Sequence, residues 1–175
     1  MRGFGRASGV PGEVHARAGL ERGERPLAHA QARDGSWLIG TRTRLVVVPA
    51  GASGREVTSL PWEEVESAGW DRDGERFRID EVGEFGRPRA SYSFSMEEPR
   101  QLLQLVRERV TGSVVLQRRV TVQGRRGFSV IARRNPAGGE LRWMHEYDTG
   151  IDPDDPEVAR LAEAALREAR TEVGE

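Results

Sequence analysis

Seven short stretches that alternate apolar and polar residues, each ended by a turn signal, precede the first amphipathic helix of this chain. A period of two puts one set of side chains on each face of a strand, so the stretches read as half-buried strands. Ala28, Ala30 and Ala32 alternate with His29 and Gln31 up to the turn at Asp34–Gly35, and residues 37–40 and 44–48 follow as two more strands. A loop at residues 49–54 separates these from strands at 57–60 and 65–70. The turn at residues 71–74 leads to a strand carrying Phe77 and Ile79, and the Gly/Pro-rich stretch 83–89 to one in which Tyr92, Phe94 and Met96 alternate with serines. Pro99 suits the first turn of a helix over residues 98–110, whose stripe is Leu102, Leu103, Leu105, Val106 and Val110. That stripe is wide enough to touch two neighbours, and it predicts that the helix joins two units that unfold together.

Beyond Thr111–Gly112 the pattern changes to a three-stranded meander. Val114, Leu116, Val120 and Val122 share one face, Gly124–Arg125–Arg126–Gly127 reads as a turn, and strands at 128–134 and 141–147 flank the turn at 135–139. A last helix starts at Pro156, with Asp152, Asp154 and Glu157 near its positive end, and its apolar face holds Val158, Leu161, Ala162, Ala165, Leu166, Ala169 and Val173. The expected class is therefore α+β, with about ten strands and two long helices. The expected divisions are an unstructured tail over residues 1–12, a first unit over 13–111, and a meander with its C-terminal helix over 112–175, packed on the first.

Seven strands and a closing helix resemble the pleckstrin-homology-like fold, a bent antiparallel sandwich or barrel capped by a helix, and most closely its small uncharacterised actinobacterial members. The residues that carry the resemblance are the strand entry Thr41-Arg42-Thr43-Arg44-Leu45 and the step Leu60-Pro61-Trp62-Glu63-Glu64-Val65, within residues 25–110. These motifs mark strand entries and not a ligand site. The resemblance implies a binding module, and Arg42 with Arg44 is similar to the basic strand that holds phosphoinositides in some eukaryotic members. Placement at a strand entry is the favoured explanation of that pair.

The residue inventory narrows the chemistry. There is no cysteine, so disulfides, thiolate metal sites and cysteine nucleophiles are excluded. All 27 basic residues are arginine, which removes Schiff-base lysine and the phosphate-loop lysine. A formal net charge of −1 argues against a chain whose main task is to wrap nucleic acid or coat an anionic membrane. Residues 1–12 carry no apolar run behind their charges and do not read as a secretory signal; the longest apolar run, residues 45–48, is strand length. A cytoplasmic protein is the expectation. The three histidines form no ligand pair, and His145, in phase with Trp143 and Tyr147, reads as a structural core residue. Prolines interrupt the acidic run 152–157, so it reads as the charge of a helix start and not as a calcium loop. No cofactor and no metal are expected, and no constellation of nucleophile, acid or base stands out.

One surface feature remains. Residues 113–150 hold seven arginines against three acids, while residues 151–175 hold eight acids against three arginines. The helix–three strands–helix order also resembles double-stranded-RNA-binding domains, but that family places its basic cluster at the start of the last helix, where this chain has Asp152, Asp154, Asp155 and Glu157. Strand alternation sends Arg119 and Arg133 away from the apolar face, with Arg125 and Arg126 at the hairpin tip. Those four arginines are the candidate binding residues for an acidic partner. The leading expectation is a non-catalytic binding or adaptor protein acting through protein–protein contact. The alternatives are a polyanion binder, for RNA or anionic lipid, and an enzyme with a distributed site.

Overall fold

The computed structural model describes residues 9–51, 55–83 and 89–175. Within them the chain is α+β, with three antiparallel sheets and a few helices. The first sheet has the order β1 (Ala28–Gln31), β2 (Trp37–Gly40), β3 (Arg44–Val48), β4 (Thr58–Pro61), and the second the order β5 (Val65–Asp71), β6 (Arg76–Glu81), β7 (Ser91–Ser95). A short 3-10 turn, Trp62–Glu64, carries the chain from one to the other. No ladder joins the two sheets among the described residues, so no barrel closes.

One core lies between these sheets. Leu38, Leu45, Leu60, Trp62, Phe77, Ile79 and Met96 fill it, and the helix α2 (Arg100–Ser113) covers it with Leu102, Leu103, Leu105 and Val106. Gly40 lets that helix approach: a Cβ there would meet Leu105 Cδ2 at 2.6 Å. The helix begins just after Pro99 and runs through Thr111 and Gly112, residues expected to end it. Its whole apolar stripe enters the first core, Val110 included. The second core takes nothing from it, and the helix touches the meander at its end, where Ser113 accepts from the Arg133 guanidinium and the Arg134 amide.

The helix passes without a loop into β8 (Val114–Gln123), which pairs with β9 (Arg126–Arg133) and then β10 (Arg142–Tyr147) in the order β10-β9-β8. Leu116, Val120, Phe128, Val130, Trp143 and Tyr147 face the last helix, α3 (Pro156–Val173), which packs with Val158, Ala162, Ala165 and Ala169. Asp155 starts α3 by accepting hydrogen bonds from the Glu157 and Val158 amides, and Gly174 ends it in the left-handed conformation. Of the acidic run, Asp155 is the residue that caps this helix, with Glu157 in its first turn.

Two features depart from the expected pattern. The chain forms a helix, α1 (Gly12–Arg17), where no helix was expected, and the segment around it covers the outer face of the first sheet. Val10, Val14, Ala18 and Leu20 pack there on Trp37, Ile39, Val46 and Val48. Residues 1–8 of the expected tail lie outside the described residues. The second departure is β9, buried on both faces: Phe128, Val130 and Ala132 toward α3, Ser129, Ile131 and Arg133 away from it. The first half of the molecule covers that other face.

Candidate functional site

Four arginines frame the first candidate surface, and the structure separates them. Arg119 is exposed on β8 and ion-paired with Asp148, to which its Nη1 donates at 3.0 Å. That pairing, with a further bond from the Gly127 amide, holds the Asp148 carboxyl below its ordinary range. Arg125 and Arg126 are exposed at the β8–β9 tip. Arg133 does not join them. It is 6% exposed, and its Nη1 donates to the Val65 carbonyl at 2.8 Å and the Ser113 hydroxyl at 3.1 Å. Alternation placed Arg133 correctly opposite Phe128 and Val130, but that face is covered at β9 and exposed only on the flanking strands, at Arg119 on β8 and at Arg142 and Glu146 on β10. Arg118, on the α3 side of β8, reaches Glu168 at 2.9 Å. Arg42 and Arg44 also part company. Arg44 is committed to Glu24, while Arg42 reaches the Ala137 carbonyl at 3.4 Å.

The burial of Arg133 marks a second candidate surface, between the halves. One wall is the meander face with Ile131, Arg133, Met144 and Glu146; the other is Glu66, Val82, Gly83 and Arg89. They enclose a space of about 150 Å³. A second space of about 350 Å³ adjoins it, sharing Val82, Gly83 and Met144 and reaching Glu63, Glu64, Glu81 and Arg142. Together they run along β10. Polar ties hold the walls in place: Arg142 pairs with Glu64, and the Asn135 amide donates to the Thr43 carbonyl at 2.7 Å and to Glu63 at 2.6 Å.

Charge in this cleft is only partly compensated. Burial raises the Glu66 carboxyl above its ordinary range, Arg89 at 2.8 Å opposes the rise, and Glu146 adds to it. Burial lowers Arg133, with Glu66 and Glu146 opposing. The Arg133 Nε has no hydrogen-bond partner, and no ion pair to Arg133 occurs among the described residues. At the cleft's far rim Tyr92 donates to Glu81 at 2.6 Å, and burial together with that carboxylate pushes the phenol up to about 12.

The cleft also contains strand edge. β10 is the last strand of its sheet. The Asp148 amide donates to Gly127 and the Arg134 amide to Ser113, which fixes the alternation: residues 142, 144 and 146 bond β9, while Trp143 and His145 turn their N–H and C=O outward. Their side chains go to the α3 side. The Trp143 indole donates to Glu175 at 2.9 Å with Arg170 over its ring, and the His145 ring lies 6.1 Å from Phe128. His145 is half-buried there, its Nε2 without a hydrogen-bond partner.

Sequence reasoning missed this cleft because its walls come from segments far apart in the chain. The one local signal was Ile131 and Arg133 interleaved with Phe128, Val130 and Ala132, an apolar run too continuous for a strand with a free face. Among the described residues no helix is long and apolar enough to cross a membrane. No protein-family model matches the chain, and no curated protein matches it as a relative.

Proposed function

We propose that this chain is a non-catalytic binding or adaptor protein with a pleckstrin-homology-like first half, acting through protein–protein contact in the cleft beside β10. The fold part of the reading is supported by the order of elements: a four-stranded and a three-stranded antiparallel sheet share one core, and the following helix covers it. The observation that carries the functional part is the open edge of β10 in a cleft with mixed charge and apolar residues on both walls, Ile131 and Met144 on one and Val82 on the other. Such a surface offers backbone hydrogen bonds and shape at once, which is how protein segments are recognised.

The rival reading, a polyanion surface on the meander, keeps Arg125 and Arg126 at the hairpin tip but loses much of its strength where Arg118 and Arg119 already hold Glu168 and Asp148. Ionic strength separates the two. Material captured by the tagged full-length chain should be protein, should survive nuclease treatment, and should stay bound when salt is raised well above physiological strength. Steep loss with salt, together with loss on nuclease or on addition of anionic vesicles, would transfer the function to the arginine tip.

A further inference from the structure

We infer that the free edge of β10 takes an extended basic segment of a partner protein as an added strand, with a lysine or arginine side chain entering between Glu66 and Glu146; this rests on the protein-contact reading above. Three observations lead to it. The first is the contrast between the two edges of the meander. β8 is shielded against strand addition by register shifts between Val114 and Leu116 and between Thr121 and Gln123, and by Arg118 and Arg119 at its centre. Bulges and central charges are the ordinary means of blunting an edge. β10 has neither: its register with β9 runs unbroken from Arg142 to Tyr147. The outward peptide groups of Trp143 and His145 stand ready for a ladder.

The second observation is the space beside that edge. An added strand lies about 4.8 Å from its neighbour, and the two adjoining cavities extend along β10 on that side. The opposing wall at Glu64, Glu66 and Val82 stands across these cavities from β10. The third observation is charge. The lining of the two cavities carries five glutamates and three arginines. Arg89 and Arg142 are paired with Glu66 and Glu64, and Arg133, bonded to a carbonyl and a hydroxyl, keeps its charge beside Glu66 and Glu146, so the lining as a whole has an excess of two acids. Glu146 is exposed, and its charge acts against ionisation of Glu66. A cation between those two carboxylates relieves that repulsion, whereas an acidic side chain would add to it.

The test uses the full-length chain and two blocked fluorescent heptapeptides of alternating valine and threonine, one with a central lysine and one with a central glutamate. The lysine peptide should bind about tenfold more tightly than the glutamate peptide, and the variant Glu66→Gln/Glu146→Gln should remove most of that difference. In the parent chain, the lysine peptide should slow exchange of the Trp143 and His145 amides and leave the β8 edge unchanged. His145→Pro removes an outward N–H without touching the ladder to β9, and should abolish binding. Should that variant fail to fold, the exchange measurement and the glutamine variant decide alone. Binding of neither peptide, equal binding of both, or protection outside β10 overturns the inference. So does protection of Trp143 and His145 that grows with protein concentration in the absence of peptide, because a second copy would then be the occupant. If the parent captures a protein partner that the peptides do not compete away, the strand-addition mode fails and the adaptor reading stands; if no protein is captured at all, the adaptor reading itself fails.

Discussion

Donors from Glu21, Thr41, Thr43 and Arg44 converge on the Glu24 carboxylate, which ties the N-terminal segment to the entry of β3. The Glu24 side chain is only 7% exposed, and Arg44 at 2.7 Å is the main reason its carboxyl is held down at about 2, against an ordinary 4.5. A folded pKa below the unfolded one means the carboxylate stabilises the fold fully above about pH 4.5, and less and less as the pH falls toward about 2. The shift corresponds to something on the order of 3 kcal/mol. Glu24→Gln should therefore lower the unfolding free energy by about 2–3 kcal/mol at pH 7, and the gap to the parent, followed by urea titration, should shrink steadily between pH 4.5 and pH 2. A gap that is independent of pH would mean the carboxylate charge is not what holds the segment. Arg133 gives a second test of a single side chain. Its guanidinium ties the Val65 carbonyl to Ser113 but carries an unpartnered Nε and the cost of a buried charge. Arg133→Ala leaves a void and an orphaned carbonyl and should cost about 2–4 kcal/mol. Arg133→Met fills much of the same volume without the charge and should cost under half as much. Equal losses in the two variants would show that the hydrogen bonds outweigh packing.

Turns and strands were legible in the sequence wherever one face met solvent, and less so where the element was enclosed. Alternation located β7 and the α3-facing side of β8 because their outer residues are polar, and the proline and acids before α3 marked its start. The glycine in Gly124–Arg125–Arg126–Gly127 was read as part of the turn, yet Gly127 lies within β9. It is there because β8 crosses so close that a Cβ on Gly127 would meet the Val120 carbonyl oxygen at 1.9 Å. Backbone cannot yield as a side-chain tip can, so Gly127→Ala should cost about 3 kcal/mol or more, with loss of the Asp148–Gly127 bonds visible in amide exchange. A variant as stable as the parent would mean the β8–β9 pairing adjusts at little cost. α1 escaped notice for the opposite reason. It is a single short helix with no buried residue of its own, and what holds it is the fit of Val14 and Ala18 on a sheet face whose second side no local pattern reveals.

Across the whole molecule the apolar contacts fall within each half and the polar ties run between them. The first core draws only on residues 28–110, and the second only on residues 116–169. Among the described residues, the ties between them include Arg133 to Val65 and Ser113, Asn135 to Thr43 and Glu63, Arg142 to Glu64, Arg42 to Ala137, and the burial of Ile131. The change of pattern near residue 112, from helix to meander, was visible in the sequence. The cleft was not, because it is made by docking and its residues are chosen for fit to a distant segment. This unequal construction has a mechanical consequence. A fragment of residues 9–113 keeps two sheets, their capping helix and a complete core, losing polar partners at Arg42, Thr43, Glu63, Glu64, Val65 and Ser113. A fragment of residues 114–175 keeps three strands and one helix, but strips cover from Ile131 and leaves the buried Arg133 face open to water, in a unit near the size at which a single core fails to offset chain entropy. The first fragment should therefore unfold cooperatively, at a melting temperature within about 20 °C of the parent, since the lost ties are worth about 2–3 kcal/mol. The second should be unfolded, or compact without fixed packing, by near-ultraviolet circular dichroism and calorimetry. An insoluble first fragment, or a second fragment that melts cooperatively by itself, would show that stability runs the other way across the cleft.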